Sequence, residues 1–103
     1  MSKFNDLING DKPVLVDFYA TWCGPCQAMN PVIKDVAKQT KDAAVVIKID
    51  VDKNQNLANS LQIKGVPTFV IYHKGEIKWR ASGMQSGTNL IQQLQSLSSQ
   101  GAR

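Results

Sequence analysis

An α/β domain with a mixed sheet between layers of helices is the fold this sequence predicts, and three observations carry it. Short runs rich in β-branched and aromatic residues, Val14–Tyr19, Ala44–Ile49 and Thr68–Tyr72, alternate with stretches whose apolar residues recur at helical spacing. The third run is followed, after His73-Lys74-Gly75-Glu76, by Ile77–Ala81, which reads as a hairpin and hence as antiparallel pairing. A chain of 103 residues with 43% apolar content buries one core without help from disulfides, so residues 1–103 are read as a single domain. Strands separated by helices imply parallel pairing through right-handed crossovers. With the hairpin added, the central sheet is mixed and four-stranded, covered by helices on both faces as a three-layer α/β/α sandwich.

In chain order, Phe4, Leu7 and Ile8 give a short first helix that ends at Asn9-Gly10-Asp11-Lys12-Pro13. Val14–Tyr19 is the first strand. Met29, Val32, Ile33, Val36 and Ala37 repeat at i, i+3, i+4, i+7 and i+8, an amphipathic helix lasting to about Thr40 with Pro31 inside it as a kink. After the strand at Ala44–Ile49, Leu57, Ala58 and Leu61 mark a short helix over Asn56–Leu61, and Gly65-Val66-Pro67 leads into the third strand. A last helix from about Thr88 to Ser98 sets Leu90, Ile91, Leu94 and Leu97 on one side.

Composition narrows the function classes. Twelve basic against eight acidic residues give a net charge of +4, but the bases are scattered, which serves solubility and does not point to nucleic acid. No apolar stretch approaches the roughly 18–20 residues of a membrane span. The start, Met1-Ser2-Lys3-Phe4-Asn5-Asp6, lacks the apolar core of a signal peptide. Two cysteines are too few for a secreted disulfide framework, so a reducing cytoplasm is the expected location.

Those two cysteines carry the chemistry. Cys23-Gly24-Pro25-Cys26 directly follows the first strand. If a helix starts there, positions i and i+3 share a face with Cβ atoms about 5–6 Å apart, close enough for a disulfide after slight adjustment. The first turn of a helix has unpaired N–H groups and partial positive charge, which favour a thiolate at Cys23, while Cys26, one turn deeper, is expected to be more shielded. Cys23 is therefore the expected nucleophile and Cys26 the resolving thiol, acting through a mixed disulfide. Pro25 suits a first helical turn, and Gly24 leaves room for an approaching backbone.

Other readings of the pair stay open at this level. Half of a zinc site is one, although tetrahedral zinc wants four ligands and the chain offers only His73 as another nitrogen or sulfur donor. A static staple is another, although so short a loop removes little unfolded-state entropy. A buried inert pair is a third, disfavoured by the Gly-Pro between the sulfurs.

Asp17 is the second chemical position. A carboxylate among Val14, Leu15, Val16, Phe18 and Tyr19 is costly to bury ionised, so desolvation is expected to raise its pKa. The plainer alternative is a strand-end acid that reaches water or caps a helix. Lys48, taken alone, reads as an exposed strand lysine, His73 as a solvated loop histidine and Trp79 as a structural residue. Asp50-Val51-Asp52-Lys53-Asn54 opens like a calcium loop, but Gln55 stands where Gly is needed and Leu61 where a bidentate Glu is needed. These acids are expected to end the strand and cap the short helix.

Val16-Asp17-Phe18-Tyr19-Ala20-Thr21-Trp22-Cys23-Gly24-Pro25-Cys26, then Gly65-Val66-Pro67-Thr68, then Gly83 after the hairpin, resemble the thioredoxin family in order and spacing, over essentially the whole chain after the first helix. The resemblance implies the thioredoxin fold, with Cys23 and Cys26 as nucleophilic and resolving thiols and Pro67 as a cis-proline beside the disulfide. Val66 is implied to pair with an extended substrate segment through its backbone. Asp17 is implied to help deprotonate Cys26 through water, with Lys48 near it. Trp22, Gly24, Pro25, Val66, Pro67 and Gly83 are implied to form a flat, partly exposed docking surface, although core packing remains the alternative for Trp22.

The activity implied is reduction of protein disulfides, with disulfide-containing proteins as substrates, a thioredoxin reductase as electron donor, and no metal or organic cofactor. A binding or chaperone module whose cysteines do little is the rival. Three departures from the family pattern bear on this. The family's N-terminal edge strand is absent or vestigial, which leaves Ala44–Ile49 at a sheet edge and suggests a monomer or weak homodimer. Gln27 replaces a common basic residue, and Ser82 replaces an apolar one, making the docking surface more polar.

Overall fold

The computed structural model describes residues 2–101. Its elements follow in the order α1 (Ser2–Ile8), β1 (Val14–Tyr19), α2 (Gly24–Gln39), β2 (Val45–Asp50), α3 (Gln55–Ser60), β3 (Thr68–His73), β4 (Glu76–Ser82) and α4 (Gly87–Gly101). The strands lie in the order β2-β1-β3-β4. β2 runs parallel to β1, β3 antiparallel to β1, and β4 antiparallel to β3.

The mixed four-stranded sheet is the expected one, but the antiparallel β1–β3 pair corrects the expectation that intervening helices mean parallel neighbours. The reason is length. Six residues of α3 span only about 9 Å of helix, less than half of a six-residue strand. The chain is therefore not carried back to the far end of the sheet, and β3 starts where β1 and β2 finish, with Thr68 opposite Phe18. α3 ends in a left-handed residue, Gln62 (φ 55°), whose N–H bonds to Asn59 O while that of Ile63 bonds to Ala58 O.

Alternation along β1 sorts the two layers. Leu15, with Phe69 and Ile71, packs against Met29, Ile33 and Val36 of α2 and Leu90, Leu94 and Leu97 of α4. Val14, Val16 and Phe18, with Val70 and Tyr72, pack against Ile8 of α1 and Leu57 of α3. Full burial of each such side chain contributes roughly 1.5–3 kcal/mol. α1 is also held by an edge-to-face contact of Phe4 on Tyr72, centroids 5.6 Å apart. α2 continues past Pro31 to Gln39. β2, half-buried except at the exposed Lys48 and the buried Asp50, is an edge strand among the described residues, as expected.

Two further expectations change. His73 is not a solvated loop residue: it ends β3, is 6% exposed, and its Nε2 lies 3.0 Å from Asp11 O. The turn is tighter than the sequence suggested, because Lys74 (φ 55°) and Gly75 (φ 84°) both adopt left-handed conformations, so the strand extends one residue further under the α1–β1 loop. Asp50 does end β2, but its Oδ1 accepts from the N–H groups of Asp52 and Lys53 rather than capping α3, whose N-cap Asn54 makes no side-chain cap.

Candidate active site

The site forms at the end of the sheet where β1 and β2 finish and β3 begins. β1 stops at Tyr19, the chain turns with Cys23 N–H bonded to Ala20 O (3.2 Å), and α2 starts at Gly24 with Cys23 as its N-cap. Its Sγ accepts a hydrogen bond from Cys26 N–H (3.1 Å), so this sulfur occupies the position a serine oxygen takes in an ordinary N-cap. Pro25 fills the first turn, where its missing N–H leaves nothing unpaired. The two cysteines are joined as a disulfide with Cα atoms 5.2 Å apart. Gln27 fastens the helix start by donating to Thr21 O (2.9 Å).

The expected difference in shielding is not seen in the disulfide form, where Cys23 and Cys26 are each 4% exposed. The S–S bond pulls both sulfurs into one small cluster with Ala20, flanked by Tyr19, Val51 and Val66. Their asymmetry lies in bonding instead: Cys23 Sγ holds the open N-terminal amide end of α2 and lies 3.7 Å from the carbonyl oxygen of Val66, while Cys26 belongs to the helix body.

Val66 precedes a cis peptide to Pro67, as the resemblance implied. The loop is pinned by Thr68 Oγ1 donating to Gly65 O (2.6 Å) and by Gly83 N–H donating to Pro67 O (2.8 Å). Gly83 has φ 88°, a conformation glycine adopts without strain. Around the disulfide, Gly24, Pro25 and Gly83 are exposed and Val66 half-buried, but Pro67 is buried, which corrects its place on an exposed surface: it leads into the fully buried β3. A Cβ built on Gly24 would meet nothing within 4 Å, so the approach over it is open. Ser82, exposed, has Oγ 3.3 Å from Thr68 Oγ1.

Trp22 is 71% exposed, which settles the surface reading against core packing, and its Nε1 donates to Asp52 Oδ2 (2.9 Å). Asp52, expected with Asp50 to end the strand and cap the short helix, bonds this indole instead. Trp79 is half-buried against the α2/α4 core, as expected.

Asp17 is 1% exposed, on the α2 side of β1, and its Oδ1 has no hydrogen-bond partner. Desolvation pushes its pKa up to about 6, against the opposing pull of the Lys48 ammonium. Lys48 is its cross-strand neighbour, yet its Nζ is turned to Asn30 Oδ1 (2.6 Å) on α2 and sits 4.5 Å from the centre of the Tyr19 ring. Among the described residues the ion pair within 4.0 Å is Lys78–Glu76 on the hairpin, so Lys48 and Asp17 interact through space without contact. Asn30 and Asp52 were missed from sequence because the contacts that make them matter join residues 18 and 30 positions apart.

Among the described residues, no three of His, Cys, Asp and Glu converge as a metal site, and no helix is long and apolar enough to cross a membrane. Comparison with known proteins is unambiguous about kinship. The family model described as Thioredoxin matches residues 1–96. Thioredoxin Y2, chloroplastic, of Arabidopsis thaliana is 45% identical over 95 residues, 91% of this chain, and the chain spans only 57% of that protein's length. The thioredoxin-like protein slr0233 of Synechocystis is 45% identical over 95 residues, covering 91% of this chain and 90% of its own. Among solved structures, a mutant thioredoxin from Halobacterium salinarum NRC-1 superposes with a TM-score of 0.88 at 41% identity, over 95% of this chain and 85% of that one. Together with the disulfide at the helix start and the cis-proline beside it, these matches establish that the chain belongs to the thioredoxin family.

Proposed function

We infer that this domain is a thiol–disulfide oxidoreductase that reduces protein disulfides. The observation that carries the reading is the sulfur of Cys23 used as the N-cap of α2 and disulfide-bonded to Cys26, beside the cis-Pro67 loop. In the reduced protein the same amide end favours Cys23 as thiolate. That thiolate attacks one sulfur of a substrate cystine, forming a mixed disulfide and releasing the other sulfur as a thiolate that takes a proton from water. Cys26 then gives its proton to Asp17, through water, and attacks Cys23 sulfur. This step forms the Cys23–Cys26 bond and releases the second substrate thiolate, so two electrons pass to the substrate.

Asp17 suits the second step because its raised pKa, about 6, makes it a stronger base than an ordinary carboxylate while leaving it largely ionised at neutral pH. Trp22, Gly24, Pro25, Val66 and Gly83 would dock the substrate, with Val66 offering backbone hydrogen bonds and the buried Pro67 holding that loop in place. A thioredoxin reductase would return the two electrons, no cofactor of the domain's own is required, and the reading asks only for a reducing compartment, the cytoplasm by default. Reduction of an insulin-type disulfide by the dithiol form tests this. Turnover should be lost, by more than about a hundredfold, in Cys23→Ser. Negligible reduction by the unmodified protein, with partner binding retained in Cys23→Ser, would favour the binding-module reading instead.

A further inference from the structure

Asn30 has no part in the chemistry just described, yet it makes a 2.6 Å bond to the ammonium that acts on the buried acid. It lies on α2 at i+4 from Cys26, hence on the same helical face and one turn further along. Lys48 lies beside Asp17 in the β1–β2 register, on the same face of the sheet. Its flexible stem has four rotatable bonds, and an exposed lysine held by nothing spreads over many rotamers. Here two contacts fix it, the Asn30 carbonyl oxygen and the face of the Tyr19 ring.

We propose that Asn30 is a positioning residue which, by capturing the Lys48 ammonium between α2 and β2, holds a positive charge at a set distance from Asp17 and so tunes the acid that serves Cys26. The proposal rests on the oxidoreductase reading for its purpose, but not for its geometry. Freed from Asn30, the ammonium moves outward rather than onto Asp17, because entering that buried site would strip its water for a single unsatisfied oxygen. The charged groups facing this region are few. β2 supplies Lys48, and α2 supplies Lys34, which shares with Asn30 and Lys48 the groove over Val46. β3 places Phe69 beside Asp17, and Cys26 does not titrate while disulfide-bonded.

The test is a double-mutant cycle read by carbon NMR titration of the Asp17 carboxyl in the disulfide form, where neither cysteine ionises. Asn30→Ala should raise the Asp17 midpoint by about 0.5 pH unit, the size Coulomb's law gives for moving an ammonium a few ångströms outward at an effective dielectric of about 20. Lys48→Met should raise it at least as far, and adding Asn30→Ala to Lys48→Met should produce no further change. An unmoved or lowered midpoint in Asn30→Ala overturns the proposal, as does an Asn30→Ala shift that persists without Lys48, or no response to Lys48→Met. None of these outcomes depends on turnover. Loss of disulfide reduction with the cycle intact would instead sink the functional reading and leave the positioning role standing.

Discussion

The two faces of the sheet are built from the same strands and differ in what they admit. On the α1/α3 side, β1 offers Val14, Val16 and Phe18, and the cluster they join is apolar but for the hydroxyl of Tyr72, which is neutral at physiological pH. On the α2/α4 side, the next residues of the same strand are Leu15 and Asp17, and the acid stands buried with one oxygen unpaired. The first face holds the domain together. The second gives up stability to keep an ionisable group under the helix that carries the cysteines, and a group so placed is hard to explain by folding alone.

Truncation on the apolar face should give the largest effect on stability. Phe18→Ala, at a fully buried position, should cost about 3–5 kcal/mol of unfolding free energy in denaturant titrations. The relative alkylation rates of the two cysteines should not change in the folded variant. A change in their ratio would mean that the faces are not independent.

Asp17→Asn should act in the opposite direction. Folded, the acid keeps its proton to about pH 6, whereas unfolded it loses it near the ordinary aspartate value of 3.8. The folded state thus binds more protons across that window, and stability present below it is lost as pH rises through about 6. The two-unit difference corresponds to about 3 kcal/mol, so the variant should be more stable by up to that amount at pH 7–8 and lose its advantage below about pH 4. Its second exchange step, followed as decay of a mixed disulfide, should slow by about 10²-fold or more. Equal stability at pH 8 would show that Asp17 is not ionised against its surroundings.

Smaller effects sharpen the boundary between scaffold and site. Gly75→Ala forces a side chain into a left-handed conformation and against the Asn9 side chain, and should cost about 1–2 kcal/mol without touching reactivity. Asp52→Ala removes the partner of an exposed indole, and should change stability by less than about 1 kcal/mol. Steady-state Trp22 emission on reduction of the disulfide should differ from that of the unmodified domain.

Much of this was legible in the residues because strand and helix periods are local. β1 was read with its observed ends, and Asp17 stood out as a charge in an apolar run. What was not legible depended on length and distance. The direction of β3 follows from α3 being too short to recross the sheet, and His73 was misplaced by a turn one residue tighter than its sequence suggested. The cis bond at Pro67 came from family resemblance rather than from the residues themselves. Asn30 gave no signal and Asp52 only that of an acid after a strand, since each gains its role from a residue far away in the chain.

The asymmetry of the two sulfurs is tested most directly by the pH dependence of alkylation of the reduced domain, each cysteine followed separately by mass spectrometry. Cys23 should react first, with a midpoint well below the free-cysteine value of about 8.5, and Cys26 more slowly and at higher pH. Equal rates, or a Cys23 midpoint at or above that of free cysteine, would contradict a nucleophile activated at the start of α2.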